Sequence, residues 1–466
     1  MKIGIKSMEQ KQLKRERRKR LLYLDSIRGL ATVLIIFVHA LAHLMFWDMN
    51  LIPVEEISIF AIIILSPILL LATSPPAFVL FSVNALSYNF YLNVRDYIKS
   101  KSENNLDHKK QIDISFKDPA LSRIVKKNLI SYSVLLVASL AHVFLFHYGL
   151  NWNGRVQRTL LTGILETGGF NIDYEVFFQT DAVGLIALGG IFNIGIIVLL
   201  LRKQGYYKPK RNLLILLGLI VVWYILSPLF HYLFDDLFWE SLNDGRYGIT
   251  FLLKFIVGPP QSIFPNFAYG FAGIIFGFGF AQEKSRSFFR KLSIYLSIIF
   301  ISVSGILILI NGLNVSTESF GSFLPFELQI LGFAVVLIVM LIFIELVEYS
   351  KKSPKKIIKS TRFLRRYGKI TLTAYIFESI LCILNMKWYI PLWKIFPQTS
   401  FILHLELFIF AGMQLAIWYG IILLWEKKNF KFSVEWFTFA IRKILVKSQS
   451  KQLHVKEVTA ANKSDS

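Results

Sequence analysis

Cysteine occurs once in the 466 residues, as Cys382, which excludes an intrachain disulfide and a thiolate metal cluster. Acidic residues are scarce: 30 Asp and Glu stand against 52 Lys and Arg, and charged residues make up only 18% of the chain. No stretch has the composition of an independent soluble domain. The nearest are the basic segment 94–128 and the polar tail after Lys447. Metal-ligand spacing, a nucleotide-binding loop and a nucleophilic-serine motif are all missing. So are fixed-period repeats and low-complexity tracts.

What is present is apolar. The chain is 54% hydrophobic, with a mean hydropathy of +0.53. Apolar runs fall at roughly 29–47, 57–73, 76–93, 129–149, 181–201, 212–234, 264–282, 292–311, 327–349, 371–390 and 401–425. Most are long enough to cross about 30 Å of hydrocarbon. The first run is long for a signal sequence and no small-residue cleavage site follows, so it reads as a retained helix.

The net charge of +22 is distributed as topology, not as a nucleic-acid surface. Most basic residues cluster in 1–22, 94–128, 202–211, 283–291, 350–370 and 427–466, between apolar runs, as on the cytoplasmic side of a membrane. Anionic lipid headgroups suit such clusters. Keeping 1–22 and 94–128 on one side requires an even number of crossings between them. The run 57–73 contains Pro67 and ends at Ser74-Pro75-Pro76, which break helix. Runs 57–73 and 76–93 are therefore expected to make one net crossing, with one of them re-entrant or interfacial. The expectation is an all-α polytopic membrane helix bundle of about ten transmembrane spans plus that extra helix, both termini cytoplasmic. Its parts are a basic N-terminal segment 1–22, a membrane domain 23–426 and a basic tail 427–466. Segments 150–180 and 235–263 read as long outer loops without regular structure, the kind that covers a site. Asn314-Val315-Ser316 is a weak glycosylation signal.

The first run carries the polar residues that need a reason. Asp25, Arg28, Thr32, Ile35, His39 and His43 fall on one helical stripe, with Arg28 and His39 eleven residues, or about 16 Å, apart. Ionisable groups within a membrane are costly and face protein or water. The plain alternatives are an Arg28 that reaches the interface beside Asp25, and histidines that bond across helices.

Leu24-Asp25-Ser26-Ile27-Arg28-Gly29-Leu30, followed by His39, resembles the first helix of the transmembrane acyltransferase superfamily, which includes the acyltransferase-3 enzymes and the heparan-α-glucosaminide N-acetyltransferases. The arginine, ten residues, histidine pattern is the mark of acyltransferase-3 members. Shorter resemblances lie at Pro75–Ser82, Phe178-Gln179-Thr180-Asp181, Phe264–Gly277 and Tyr367-Gly368-Lys369-Ile370-Thr371-Leu372-Thr373-Ala374-Tyr375. Two departures stand out: Val83-Asn84 where a glycine is expected, and Glu378 near the place of a histidine.

The resemblance implies transfer of an acyl group, acetyl foremost, from a cytoplasmic acyl-CoA to a hydroxyl or amine of a glycan, glycolipid or other envelope acceptor in the plasma membrane. A neutral imidazole at His39, with His43 second, would take the attacking proton or carry the acyl group. Arg28, oriented by Asp25, would grip coenzyme A phosphates, with Arg365 and Arg366 adding positive potential. Asp181, Tyr375 and Glu378 would face the acceptor, although Asp181 reads equally as a helix cap. No metal is expected. The glycines at 270, 273, 277 and 279 read as close helix packing. His142, His147, His231 and His404 read as packing residues; Arg155 and Arg158 would meet an anionic acceptor or balance Glu166, Asp173 and Glu175. Two other classes fit the composition: a proton-coupled transporter using His39, His43 and Glu378, and a relative that binds lipid or a partner without chemistry. The sequence leaves the oligomeric state open, a homodimer included.

Overall fold

The computed structural model describes residues 20–47, 75–104, 112–150, 156–170, 172–312, 324–395 and 400–445. The run 57–73, the sequon, Arg155, His108, His454 and the side chain of His404 lie outside the described residues.

Helices dominate. They are α1 (Leu22–Trp47), α2 (Pro76–Asn104), α3 (Pro119–Leu145), α4 (Leu160–Thr167), α5 (Ala182–Leu201), α6 (Pro209–Asn243), α7 (Tyr247–Ile256) and α8 (Ala268–Ala281). They continue as α9 (Arg286–Asn311), α10 (Phe326–Phe343), α11 (Pro354–Ser360), α12 (Arg362–Tyr367), α13 (Thr371–Trp393) and α14 (Ser400–Glu426). Among the described residues the only sheet is an antiparallel hairpin of β1 (Tyr148–Leu150) and β2 (Val156–Arg158).

Among the described residues, eight helices are long and apolar enough to cross a membrane. Eight of the expected runs correspond to these. The runs 76–93 and 371–390 are also helical, as the start of α2 and most of α13, and bury polar groups such as Asn84, Ser87, Glu378, Ser379 and Asn385. The chain is thus an all-α membrane bundle.

Burial divides the helices into layers. Nearly every residue of α8 is buried, whereas α6 and α9 expose Leu214, Ile225, Leu233, Ile298, Leu309 and Ile310 on their outer faces. Such apolar surface suits lipid, where packing and hydrogen bonding, not apolar burial, hold helices together. Close packing needs small residues: a side chain at Gly273 would meet Leu80 O at 2.6 Å, and one at Gly277 would meet Asn84 O at 2.6 Å. The expectation for these glycines is met.

Both expected outer loops carry structure. The 150–180 segment holds β2, α4 and a short 3-10 turn at Tyr174–Phe178. In the other, α6 runs on to Asn243 through Pro228, and α7 follows. The segment after 426 carries structure as well. Residues 434–445 are helical, and Glu435 accepts hydrogen bonds from Leu372 N (2.7 Å) and Thr373 N (3.3 Å). These are free N–H groups at the start of α13, so a carboxylate there satisfies them and the helix dipole together. Glu435 thereby ties the segment after 426 to the start of α13.

Candidate active site on the first helix

Gly29 and Gly368 explain why two separate motifs meet. A side chain at Gly29 would run into the Leu364 carbonyl, and one at Gly368 into the Asp25 carbonyl. Without them α12 sits directly against α1 and delivers α13 alongside it. Two bridges then fix the register: Thr32 Oγ1 lies 2.9 Å from Thr371 Oγ1, and His39 Nδ1 lies 2.6 Å from Glu378 Oε1. Both pairs are separated by 339 residues, so α1 and α13 run parallel over two turns.

Glu378 is buried and gathers several donors. His39 reaches one oxygen, Ser379 Oγ donates to the same oxygen at 3.1 Å, and His43 Nε2 stands 3.6 Å away. Against an ionised carboxylate, which only accepts, His39 would carry its proton on Nδ1, with Nε2 as the nitrogen not engaged by Glu378. The two histidines differ in access. The His39 side chain is 35% exposed; that of His43 is 5% exposed, wedged edge-on against Tyr148. His39 is therefore the presented imidazole, and His43 is a buried support for Glu378. Glu378 is the group that bonds His39.

The ligand atoms of His39, His43 and Glu378 lie within 4.8 Å of one another, a grouping able to hold a divalent cation. The sequence, read for spacing, foresees no metal, because Glu378 arrives from a distant helix.

A second imidazole–carboxylate pair lies beyond Tyr375. His142 Nδ1 stands 3.2 Å from Asp181 Oδ2; Ser139 Oγ bonds the other carboxylate oxygen, which also accepts from Gly184 N at 2.8 Å. Asp181 is thus the cap of α5 and the partner of a buried histidine at once. The Tyr375 ring packs 6.3 Å from His39 and 5.2 Å from His142, and its hydroxyl accepts from Ala182 N at 3.3 Å. Sequence reading took His142 for packing. The available signal was Ser139 and His142 three residues apart on one face of α3, aimed at the start of α5.

Around this core the outer segments close. His147 has an inaccessible Nε2 without a partner, and burial, reinforced by the neighbouring His142, pushes its pKa down to about 3. Lys254 on α7 is 3% exposed and donates to Phe177 O at 2.8 Å, its ammonium lying over the Phe251 and Phe255 rings. Burial lowers its pKa to about 8, against a pull from Asp181. Arg158 spends its charge on Glu166 and its backbone N–H on Asp173, so the balancing role holds for it. His231 pairs with Asp235 one turn away on α6.

The predicted coenzyme-binding set divides. Asp25 pairs with Arg20 at 2.6 Å instead of orienting Arg28. Arg366 is committed to Glu426 at 2.7 Å and to the Tyr419 hydroxyl at 2.8 Å, a tie between α12 and α14. Arg28 is half-buried and has no ion-pair or hydrogen-bond partner for its guanidinium among the described residues; Tyr132 lies within electrostatic reach. Arg365, on α12 where it crosses α1, keeps a buried Nε without a partner.

Residues 277–438 match the family model DUF418, a protein of unknown function. The match covers about a third of the chain, from the end of α8 through Tyr375, Glu378 and Glu435, and leaves out α1 with Arg28 and His39. No curated protein and no solved structure matches.

Proposed function

We propose that this protein is an integral membrane acyltransferase that moves an acyl group, acetyl foremost, from a cytoplasmic acyl-CoA to a hydroxyl or amine of a glycan, glycolipid or other envelope acceptor. The observation that carries this reading is His39, held through Nδ1 by Glu378 and still a third exposed. An imidazole so held can take a proton at Nε2 while the carboxylate stabilises the imidazolium that forms. The acceptor O–H or N–H gives its proton to Nε2 as its heteroatom bonds the thioester carbonyl carbon. The carbon–sulfur bond then breaks, and the departing thiolate takes the proton back from the imidazolium. Arg28 and Arg365, whose donors are uncommitted among the described residues, supply charge for the coenzyme phosphates. Ten spans with both termini cytoplasmic, in a plasma membrane, complete the reading. Coenzyme A binding tests it: purified protein should bind coenzyme A in a way that needs Arg28. Binding that is absent, or unaltered in Arg28→Ala, counts against it.

A proton-coupled transporter is the second reading, favoured by the row of titratable groups from His43 through Glu378 and His39 to His142 and Asp181 across Tyr375. Uptake into liposomes driven by a pH gradient, indifferent to coenzyme A, would support it.

A further inference from the structure

A cavity of about 700 Å³, with no lining residue in common with the His39 cluster, lies between the end of α5 and the start of α6. One wall is apolar: Ile196 and Leu199 from α5, Ile215 and Leu219 from α6. Leu199 and Ile215 are 55% and 42% exposed, so this wall opens sideways to where lipid tails would lie. The rim is cationic, formed by Arg202, Lys203, Lys208 and Arg211, with Asp113 the one acidic lining residue.

Two features show that the rim is built. Lys203 sits at φ +53°, a left-handed conformation that side chains disfavour and glycine accepts readily. It is pinned there by reciprocal backbone bonds with Ile114, 2.8 and 3.0 Å. Arg211 is likewise fixed: Nη2 donates to Leu200 O at 3.1 Å and to Asn212 Oδ1 at 2.9 Å, leaving Nη1 unused among the described residues. Gly205 makes that approach possible, since a side chain there would collide with the Leu200 carbonyl. A lysine kept at a strained position, beside an arginine with a spare donor, points to a ligand that needs both charges.

We propose that this cleft holds an anionic phospholipid, its phosphate among Lys203, Lys208 and Arg211 and one acyl chain along Ile196, Leu199, Ile215 and Leu219. The apolar wall decides for a lipid over free phosphate, and the four cations decide for an acidic headgroup. The site stands apart from the proposed chemistry and survives its failure.

The test is native mass spectrometry of the full-length protein, offered equal amounts of phosphatidylglycerol and phosphatidylcholine with identical chains. Phosphatidylglycerol should be retained preferentially, and millimolar inorganic phosphate should not displace it. Lys203→Gly, which relieves the backbone and so folds at least as well, should cut the preference about fivefold, the equivalent of one basic contact. Lys208→Gln should do the same, while Lys351→Gln with Lys352→Gln, in another basic cluster, should leave it intact. Equal retention of the two lipids, displacement by phosphate alone, or an unchanged preference in both Lys203→Gly and Lys208→Gln would overturn the proposal.

Discussion

His39 Nδ1 and Glu378 Oε1 lie 2.6 Å apart although 339 residues separate them. The pair engages Nδ1 and leaves Nε2 as the nitrogen not bound to the carboxylate, on a side chain that is a third exposed. Glu378→Gln keeps the shape and removes the charge that stabilises an imidazolium. Acyl transfer should fall roughly a hundredfold or more, with KM for the acyl-CoA little changed. Steady-state kinetics of the purified variant measure this.

Arg28, on the same helix, has no ion-pair or hydrogen-bond partner for its guanidinium among the described residues. Arg28→Ala should weaken coenzyme A binding by roughly tenfold to a hundredfold, as a lost charge-assisted hydrogen bond of about 1.5–3 kcal/mol implies. Arg366→Ala should instead lower stability, because that guanidinium already serves Glu426 and Tyr419. Calorimetric binding and thermal denaturation in detergent separate the two effects.

Gly29 lets α12 touch α1. Gly29→Ala forces a methyl group against the Leu364 carbonyl and should cost about 1–3 kcal/mol. Gly218 on α6 has open space where its side chain would lie, so Gly218→Ala should stabilise by roughly 0.5–1 kcal/mol through helix propensity alone. Melting temperatures should move in opposite directions.

His147 gives a pH dependence. Its folded pKa, about 3, lies below the unfolded value near 6.5, so the unfolded chain binds the extra proton first as pH falls. Stability from this residue is complete above about pH 6.5 and declines below it, by up to about 1.4 kcal/mol per pH unit. Denaturation followed from pH 7 to pH 5 should show the decline, and His147→Gln should flatten it. An equal slope in wild type and variant would assign the effect elsewhere.

The bundle was legible in the sequence because apolar run length and basic punctuation are local signals. That His39 and His43 share one face of α1 was legible for a similar reason, since helical spacing alone places them there. What could not be read was partnership. Asp25 looked like the companion of Arg28 by its three-residue spacing, yet Arg20 takes it. Glu378 looked like a departure from a motif until α13 laid it against His39. His142 looked like packing because Asp181, its partner, reaches it only when α5 starts beside the end of α3. Glu435 sat in a polar tail, and only the fold returns it to the start of α13. Apart from the local Arg20–Asp25 pair, each missed contact joins residues far apart in the chain, and no period along it encodes that.

The most direct measurement is transfer of labelled acetyl from acetyl-CoA to extracted envelope glycolipids by purified wild-type protein and by His39→Ala. The account predicts labelled product with the wild type and none above background with the variant, whose melting temperature and elution volume remain those of the wild type. Equal labelling by the two proteins would contradict it.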